Sequence, residues 1–156
     1  MKIKLIQIGK THFSFVQDGV TLFESRLKHY CKFEQVVLEL PAKYRSAEPS
    51  VVKKMEGELL LKQFQHTEYV FLLDEEGQSY NSRKFAALIE KTQLHHASIS
   101  FVIGGAFGFS DEVYARANNK LSLSAMTFSH QLIRLIFLEQ LYRAFTIIRG
   151  EPYHND

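Results

Sequence analysis

The chain has 156 residues, of which 46% are hydrophobic and 23% charged, with a net charge of +2. This composition suits one globular domain over residues 1–156 and argues against disorder. The single cysteine, Cys31, excludes an internal disulfide and a cysteine-based zinc cluster. Since no apolar run is long enough for a signal peptide or a membrane span, we expect a cytoplasmic protein.

Positive charge is concentrated at the front of the chain, where residues 1–55 contain 10 lysines and arginines against 5 acidic residues. A basic front half is compatible with a polyanionic partner such as RNA. A solvated lysine-rich surface would explain the same pattern. The seven histidines show no spacing typical of a metal site, and we expect no metal.

Strand-like and helix-like segments alternate along the chain. Apolar alternation or short apolar runs predict strands over Lys2–Gly9, Phe33–Leu40, Tyr69–Leu73, Ser98–Ile103 and Leu121–Ser124. Helical spacing predicts helices over Thr11–Cys31, Ser50–Gln65, Ser82–Gln93, Ser110–Ala117 and 131–148, with Ser82 as an N-cap of the third. This alternation predicts an α/β fold with a mostly parallel sheet.

Three of the predicted strands end in residues that suit a ligand site. They end at Leu73-Asp74, at Gly104-Gly105 and at Ser122–Ser124, and ligands of open α/β sheets bind outside the carboxyl ends of strands. Asp74, Glu75 and Glu76 could be paired carboxylates, but we predict that they lie in a solvated loop that runs to Gly77. The glycine turn reads G-G-x-x-G, so both the dinucleotide fingerprint and the Walker motif are absent. Its glycines predict either close approach of a ligand to the backbone or simply a tight turn.

The last predicted helix is apolar nearly all round, so it must be buried on more than one side. In a short chain the second side is most simply another subunit, and we therefore expect a charge at Phe137 or Leu141 to disrupt a dimer. His130 stands at the start of this helix beside Ser129, among several hydroxyl-bearing residues. The cluster predicts either a ligand site or a plain helix cap.

Three motifs together resemble one known family. They are IGGAFG at 103–108, LSLSAMTFSHQLIRLIFLEQLYRAF at 121–145 and PYH at 152–154, and they resemble the RlmH family of the SPOUT superfamily. The resemblance implies a SPOUT-type α/β fold with a deep trefoil knot near 121–156, and a homodimer. It also implies that S-adenosylmethionine is used to methylate N3 of a pseudouridine in large-subunit 23S rRNA of the assembled ribosome.

The resemblance also implies roles for individual residues. The implied cofactor-binding residues are Leu73, Gly104, Leu123, Ser124, Ala125, Met126, Thr127 and Phe128. The implied catalytic residues are His130, Tyr142 and His154, and the implied RNA-binding residues are Arg134, Arg143 and Tyr153. Two alternatives stay open: a SPOUT enzyme that modifies another RNA such as tRNA, and a non-catalytic RNA-binding dimer.

Overall fold

The computed structural model describes residues 1–155, so Asp156 of the predicted domain lies outside the described residues. Its strands are β1 (Lys2–Ile8), β2 (Lys32–Leu38), β3 (Tyr69–Ser79), β4 (Ser98–Ile103) and β5 (Asn119–Ser122). They form one sheet in the order β2-β1-β4-β3-β5, and every pairing between these strands is parallel. The predicted parallel α/β fold is confirmed, while the trefoil knot stays a prediction.

Helices connect the strands, as the alternation predicted. They are α1 (Ser14–Leu27), α2 (Pro49–Leu61), α3 (Ser82–His95), α4 (Asp111–Arg116) and α5 (Leu132–Arg149), with a short 3-10 turn at Ala42–Tyr44. The prediction of Ser82 as an N-cap is wrong, because the side chain of Asn81 accepts from the backbone N of Lys84. None of the helices within residues 1–155 is long and apolar enough to cross a membrane.

The acidic segment after Leu73 is part of a strand and was wrongly predicted to be a loop. β3 continues to Ser79, and its pairing with β5 shifts register between Leu73 and Gln78. Gly77 permits this close pairing, since a Cβ there would lie 2.7 Å from the backbone N of Leu121. The bulged part of β3 therefore holds Asp74, Glu75 and Glu76 beside the carboxyl ends of β4 and β5.

Helix α5 is buried mainly by its own chain. It packs against α1, α3 and the sheet, and its Phe137 and Leu141 side chains are completely buried. The Phe137 ring lies 4.7 Å from that of Phe101 on β4. The expectation that Phe137 and Leu141 face a second subunit is therefore wrong, because α1 and α3 supply the second side of burial.

Candidate functional site

A cavity of about 460 Å³ lies at the carboxyl ends of β3, β4 and β5, and we call it the strand-end cavity. This is the position predicted from the strand ends, and the volume lies in the range of small-molecule sites. Every predicted cofactor residue except Ala125 lines it, namely Leu73, Gly104, Leu123, Ser124, Met126, Thr127 and Phe128. Ile133, from the first turn of α5, also lines the cavity.

The wall formed by β3 is acidic. Asp74, Glu75 and Glu76 line the cavity, and its lining residues include neither lysine nor arginine. Asp74 accepts from the hydroxyl of Tyr114 at 2.5 Å and from the backbone N of Glu76 at 2.9 Å. This electrostatic environment favours a positively charged ligand and disfavours phosphate.

The wall formed by the end of β4 is a tight backbone turn. Gly105 and Gly108 form a bridge, and Gly108 has φ of +80°, where a side chain would be strained. A Cβ on Gly104 would lie 3.0 Å from the ring of Phe109, which is itself buried. The turn is tight, which is one of the two alternatives that its glycines predicted; close approach of a ligand to its backbone stays a prediction.

The third wall is the segment that follows β5. The hydroxyl of Ser122 donates to the carbonyl of Ser124, and the hydroxyl of Ser124 accepts from the backbone N of Met126 at 2.9 Å. Thr127 donates to Glu75 at 2.9 Å, which ties this segment to β3. The hydroxyls therefore hold the shape of the loop, while Leu73 and Leu123 supply apolar surface.

His130 lines the cavity, and Ser129 beside it lies just before Gln131, the N-cap of α5, whose own side chain makes no capping bond. The Ser129 hydroxyl accepts from the backbone N of Leu132 at 3.1 Å. The pKa of the His130 imidazole is lowered from 6.5, first by burial and then by the charge of Arg134. His130 is therefore mainly neutral near pH 7 and able to accept a proton.

Arg134 was predicted to contact RNA, but the structure places it in the interior. Its side chain is 1% exposed, and its guanidinium donates to Thr11 Oγ1 and to the carbonyl of Ile8, each at 2.9 Å. These bonds join α5 to the segment after β1. As placed, the side chain does not reach a surface where a phosphate could bind.

The other predicted catalytic and RNA-binding residues form a separate group with Glu139, which was not predicted. We call this group the tail cluster: Glu139, Tyr142, Arg143, Tyr153 and His154. The Nε and one terminal nitrogen of Arg143 donate to Glu139 Oε1, at 3.1 and 2.5 Å. The guanidinium lies 4.7 Å from the centre of the Tyr153 ring, and Nη1 lies 3.3 Å from His154 Nδ1. Tyr142 and Tyr153 pack edge to face at 4.8 Å.

None of the tail cluster lines the strand-end cavity of the same chain. Along α5, Ile133 and Arg143 are ten residues apart, which corresponds to roughly 15 Å at 1.5 Å per residue. The structure thus brings His130 to the cavity, and it places Tyr142 and His154 away from it.

Several lining residues were missed from the sequence. The three carboxylates Asp74, Glu75 and Glu76 read as an ordinary solvated loop, although their position after a buried strand was a usable signal. Tyr114 carried no signal, since its place depends on how α4 packs after the glycine turn. Its hydroxyl pKa is raised, first by burial and then by the hydrogen bond to Asp74.

The chain is similar to known proteins over nearly its whole length. The family described as "Predicted SPOUT methyltransferase" matches residues 1–154. Two relatives named "Ribosomal RNA large subunit methyltransferase H" come from Christiangramia forsetii and Parabacteroides distasonis. The first is 47% identical and the alignment covers 99% of each chain; the second is 45% identical and covers 100% of each.

A solved structure is similar in fold. It is titled "Structural insights into the 2-OH methylation of C/U34 on tRNA" and aligns with a TM-score of 0.51 over 96% of this chain and 98% of that chain. Its sequence identity is 12%, so the likeness concerns the fold alone.

Proposed function

Because the chain belongs to the SPOUT methyltransferase family, as its motifs predicted, we propose that it methylates large-subunit ribosomal RNA with S-adenosylmethionine. The observation that carries the proposal is the acidic strand-end cavity, which is lined by seven of the eight cofactor residues that the resemblance implies. The finer parts of the proposal are N3 of a pseudouridine as the target and the assembled ribosome as the substrate. The names of the relatives favour rRNA over tRNA.

The residues of the cavity fit the proposed cofactor. S-adenosylmethionine supplies an activated methyl group on a positively charged sulfonium, and a cavity with three carboxylates and no lysine or arginine suits that charge. The glycine turn offers backbone groups, and Leu73 and Leu123 offer apolar contact for the adenosine part. The chain's task is then to hold the target nitrogen in line with the methyl group.

We assign the role of proton acceptor to His130. The imide N3–H of the target must lose its proton, and His130 is the histidine at the cavity, with a lowered pKa that keeps it neutral near pH 7. A neutral imidazole within reach of the target accepts the proton as the N–C bond forms. Tyr142 and His154 are proposed to contact the RNA around the target.

Replacing His130 with alanine is expected to lower kcat by about 100-fold, the lower range for a lost general base. In the wild type, kcat should fall as the pH drops below the lowered His130 pKa, itself below 6.5, because the protonated ring cannot accept. The His130→Ala variant should lack this acid limb, that is, the fall in kcat at low pH. The control His95→Ala, which changes an exposed histidine on α3, should behave as wild type. A variant that retained both the rate and the acid limb would exclude His130 as the base. Methylation rates from pH 5 to 8 provide the measurement.

We propose that the protein is a homodimer whose interface uses the outer face of α1 and α5. Leu22 and Phe15 on α1 are 46% and 64% exposed, and Leu132 on α5 is 37% exposed. Gly19 lies against Leu135, which brings the two helices into close contact. Phe15, Leu22 and Leu132 each lie about one helical turn along their helix from that contact. Such a face on two helices is typical of a surface that a partner covers.

Leu22→Glu is expected to convert the dimer to a folded monomer. The side chain is half exposed within the chain, so a charge is tolerated there but is costly in an apolar interface. Leu94→Glu is the matched control, since Leu94 is 76% exposed at the far end of α3. Light scattering coupled to size-exclusion chromatography gives the mass; a dimer of unchanged affinity in Leu22→Glu would contradict this interface.

A dimer also offers a place for the tail cluster. Because the cluster lies away from its own cavity, we propose that it serves the cavity of the second copy. Arg143 would contact phosphate there, and Tyr153 would stack on an exposed base. The pairing of Arg143 with Glu139 holds the guanidinium in a fixed orientation before RNA binds.

The function is tested with ribosomes from a bacterial strain that lacks this methylation. Purified protein and labelled S-adenosylmethionine are incubated with ribosomes, with free 23S rRNA or with tRNA, and the modified nucleoside is identified by mass spectrometry. We expect N3-methylated pseudouridine in 23S rRNA, with ribosomes as the best substrate. Label in tRNA alone would favour the other-RNA alternative, and RNA binding without cofactor binding would favour the non-catalytic dimer. A cytoplasmic location belongs to the same proposal, since ribosomes are found there.

A further inference from the structure

Helix α2 places a buried carboxylate directly behind the strand-end cavity. Glu56 is 6% exposed, and its Oε2 is buried without a hydrogen-bond partner among residues 1–155. The next residue, Gly57, lets α2 approach closely, because a Cβ there would collide with the hydroxyl of Ser110. A buried carboxylate oxygen without a partner is costly, so its presence calls for a reason.

The Glu56 carboxyl lies against the glycine turn. A Cβ built on Gly105 would lie 2.5 Å from Glu56 Oε1, and Gly105 itself lines the cavity. The carboxyl therefore lies beside the backbone of a residue that lines the ligand space. Since no positively charged residue lines the cavity, a bound cation is the charge that this group can meet.

Burial makes this carboxylate different from those on β3. Glu75 and Glu76 are exposed, so water and salt weaken their influence on a ligand. Glu56 is shielded from solvent and acts through protein of low polarity, where a charge is felt over a longer distance. Burial raises the pKa of the Glu56 carboxyl, and a cation in the cavity would favour its ionised form.

We propose that Glu56 is a specificity-determining residue that favours the positively charged methyl donor over its neutral product. The inference rests on the proposed function. In methyl transfer the C–S bond breaks, its electron pair stays on sulfur, and the methyl carbon bonds to the target nitrogen, whose proton goes to the base. The sulfonium thereby becomes a neutral thioether, so the attraction to Glu56 ends when the reaction is complete and product release is favoured.

The test compares two ligands that differ in this charge. Calorimetry measures Kd for S-adenosylmethionine and S-adenosylhomocysteine with wild type, Glu56→Gln and Glu56→Asp, and with Glu58→Gln, at an exposed position of the same helix. Glu56→Gln should weaken binding of the cation by about tenfold, as for a charge pair roughly 10 Å apart in protein surroundings, and should change binding of the thioether less than about twofold. Glu56→Asp retains the charge and should keep most of the discrimination. Glu58→Gln should match wild type.

Three results would overturn the inference. Equal weakening of both ligands would mean that Glu56 only supports the shape of the turn. Unchanged binding of both would mean that the carboxyl is neutral with the donor bound. Failure of wild type to bind either ligand would contradict the proposed function itself. Glu56→Gln should unfold at the same temperature as wild type or higher, because it removes a buried carboxyl whose Oε2 has no partner. If Glu56→Gln fails to fold, a Glu56→Asp variant that lacks the preference for the cation would overturn the inference equally.

Discussion

Lys4→Met is expected to lower the free energy of unfolding by about 3–5 kcal/mol, the cost of breaking a buried ion pair by removing one partner. Lys4 Nζ lies 2.9 Å from Glu68 Oε1, and the side chains are 8% and 0% exposed. The same oxygen accepts from the hydroxyls of Ser98 and Ser100, at 3.1 and 2.7 Å. Without Lys4, the carboxylate would be buried with hydrogen bonds but without an opposite charge.

The adjacent exposed pair provides a matched control on the same strand. Lys2 Nζ lies 2.6 Å from Glu34 Oε2, but these side chains are 35% and 47% exposed. Lys2→Met should therefore cost less than about 1 kcal/mol, since water and salt screen an exposed pair. Urea unfolding of both variants measures the two losses in the free energy of unfolding. Losses of equal size would mean that burial does not determine how strongly the Lys4–Glu68 pair stabilises the fold.

The effect should also depend on pH. Burial alone would raise the pKa of Glu68. The hydrogen bonds from Lys4, Ser100 and the backbone of Gln65, together with the charge of Lys4, outweigh burial, so the pKa is lowered from 4.5. A lowered carboxyl pKa stabilises the fold above the unfolded pKa, and this stability is lost as the pH falls through the folded pKa. In Lys4→Met the folded-state pKa of the Glu68 carboxyl should be higher than in wild type. The difference in stability between wild type and variant should therefore narrow as the pH falls from that higher pKa to the lowered pKa of wild type.

The location of the site was predictable because it follows from strand ends. A buried apolar run that stops at Leu73, at Ile103 or near Ser122 marks the carboxyl end of a strand in a parallel sheet. The three strand ends do meet at the cavity. The identities of the wall residues were less predictable. Asp74 to Gly77 look like a turn, yet they continue β3. The sequence pattern does not reveal this, because the pairing of β3 with β5 depends on contacts between residues distant in sequence.

The burial of α5 shows where sequence periodicity stops being informative. An all-round apolar helix must be covered on several sides, but the pattern does not tell whether its own chain or a partner covers it. Here α1 and α3 cover most of it, so Leu141→Asp would unfold the monomer and would not test a dimer. Arg134 is a similar case, since an arginine typical of phosphate contact joins α5 to the carbonyl of Ile8.

The proposed composite site predicts recovery of activity when two defective chains are mixed. His130→Ala damages the cavity, whereas Tyr153→Ala damages the tail cluster, which lies roughly 15 Å or more along α5 from that cavity. Loss of base stacking by Tyr153 should cost about tenfold or more in rate. If the tail of one chain serves the cavity of the other, a mixed dimer combines the intact cavity of one chain with the intact tail of its partner.

Random assembly of equal amounts makes half of the dimers mixed, and each mixed dimer has one intact site. The mixture should therefore recover about a quarter of the wild-type rate, at least about twofold above Tyr153→Ala alone and far above His130→Ala alone. A chain carrying both substitutions, mixed with wild type, gives mixed dimers in which each site has one defect, so the mixed species should stay nearly inactive. If the tail instead served its own cavity, the pattern would reverse: the first mixture would show no recovery, and the second would retain one intact site per mixed dimer. Mixed dimers can be purified through two different tags, one on each chain. In the first mixture, the intact cavity and the intact tail of such a dimer lie on opposite subunits only. The activity of the purified dimers therefore shows directly whether the tail of one subunit serves the cavity of the other.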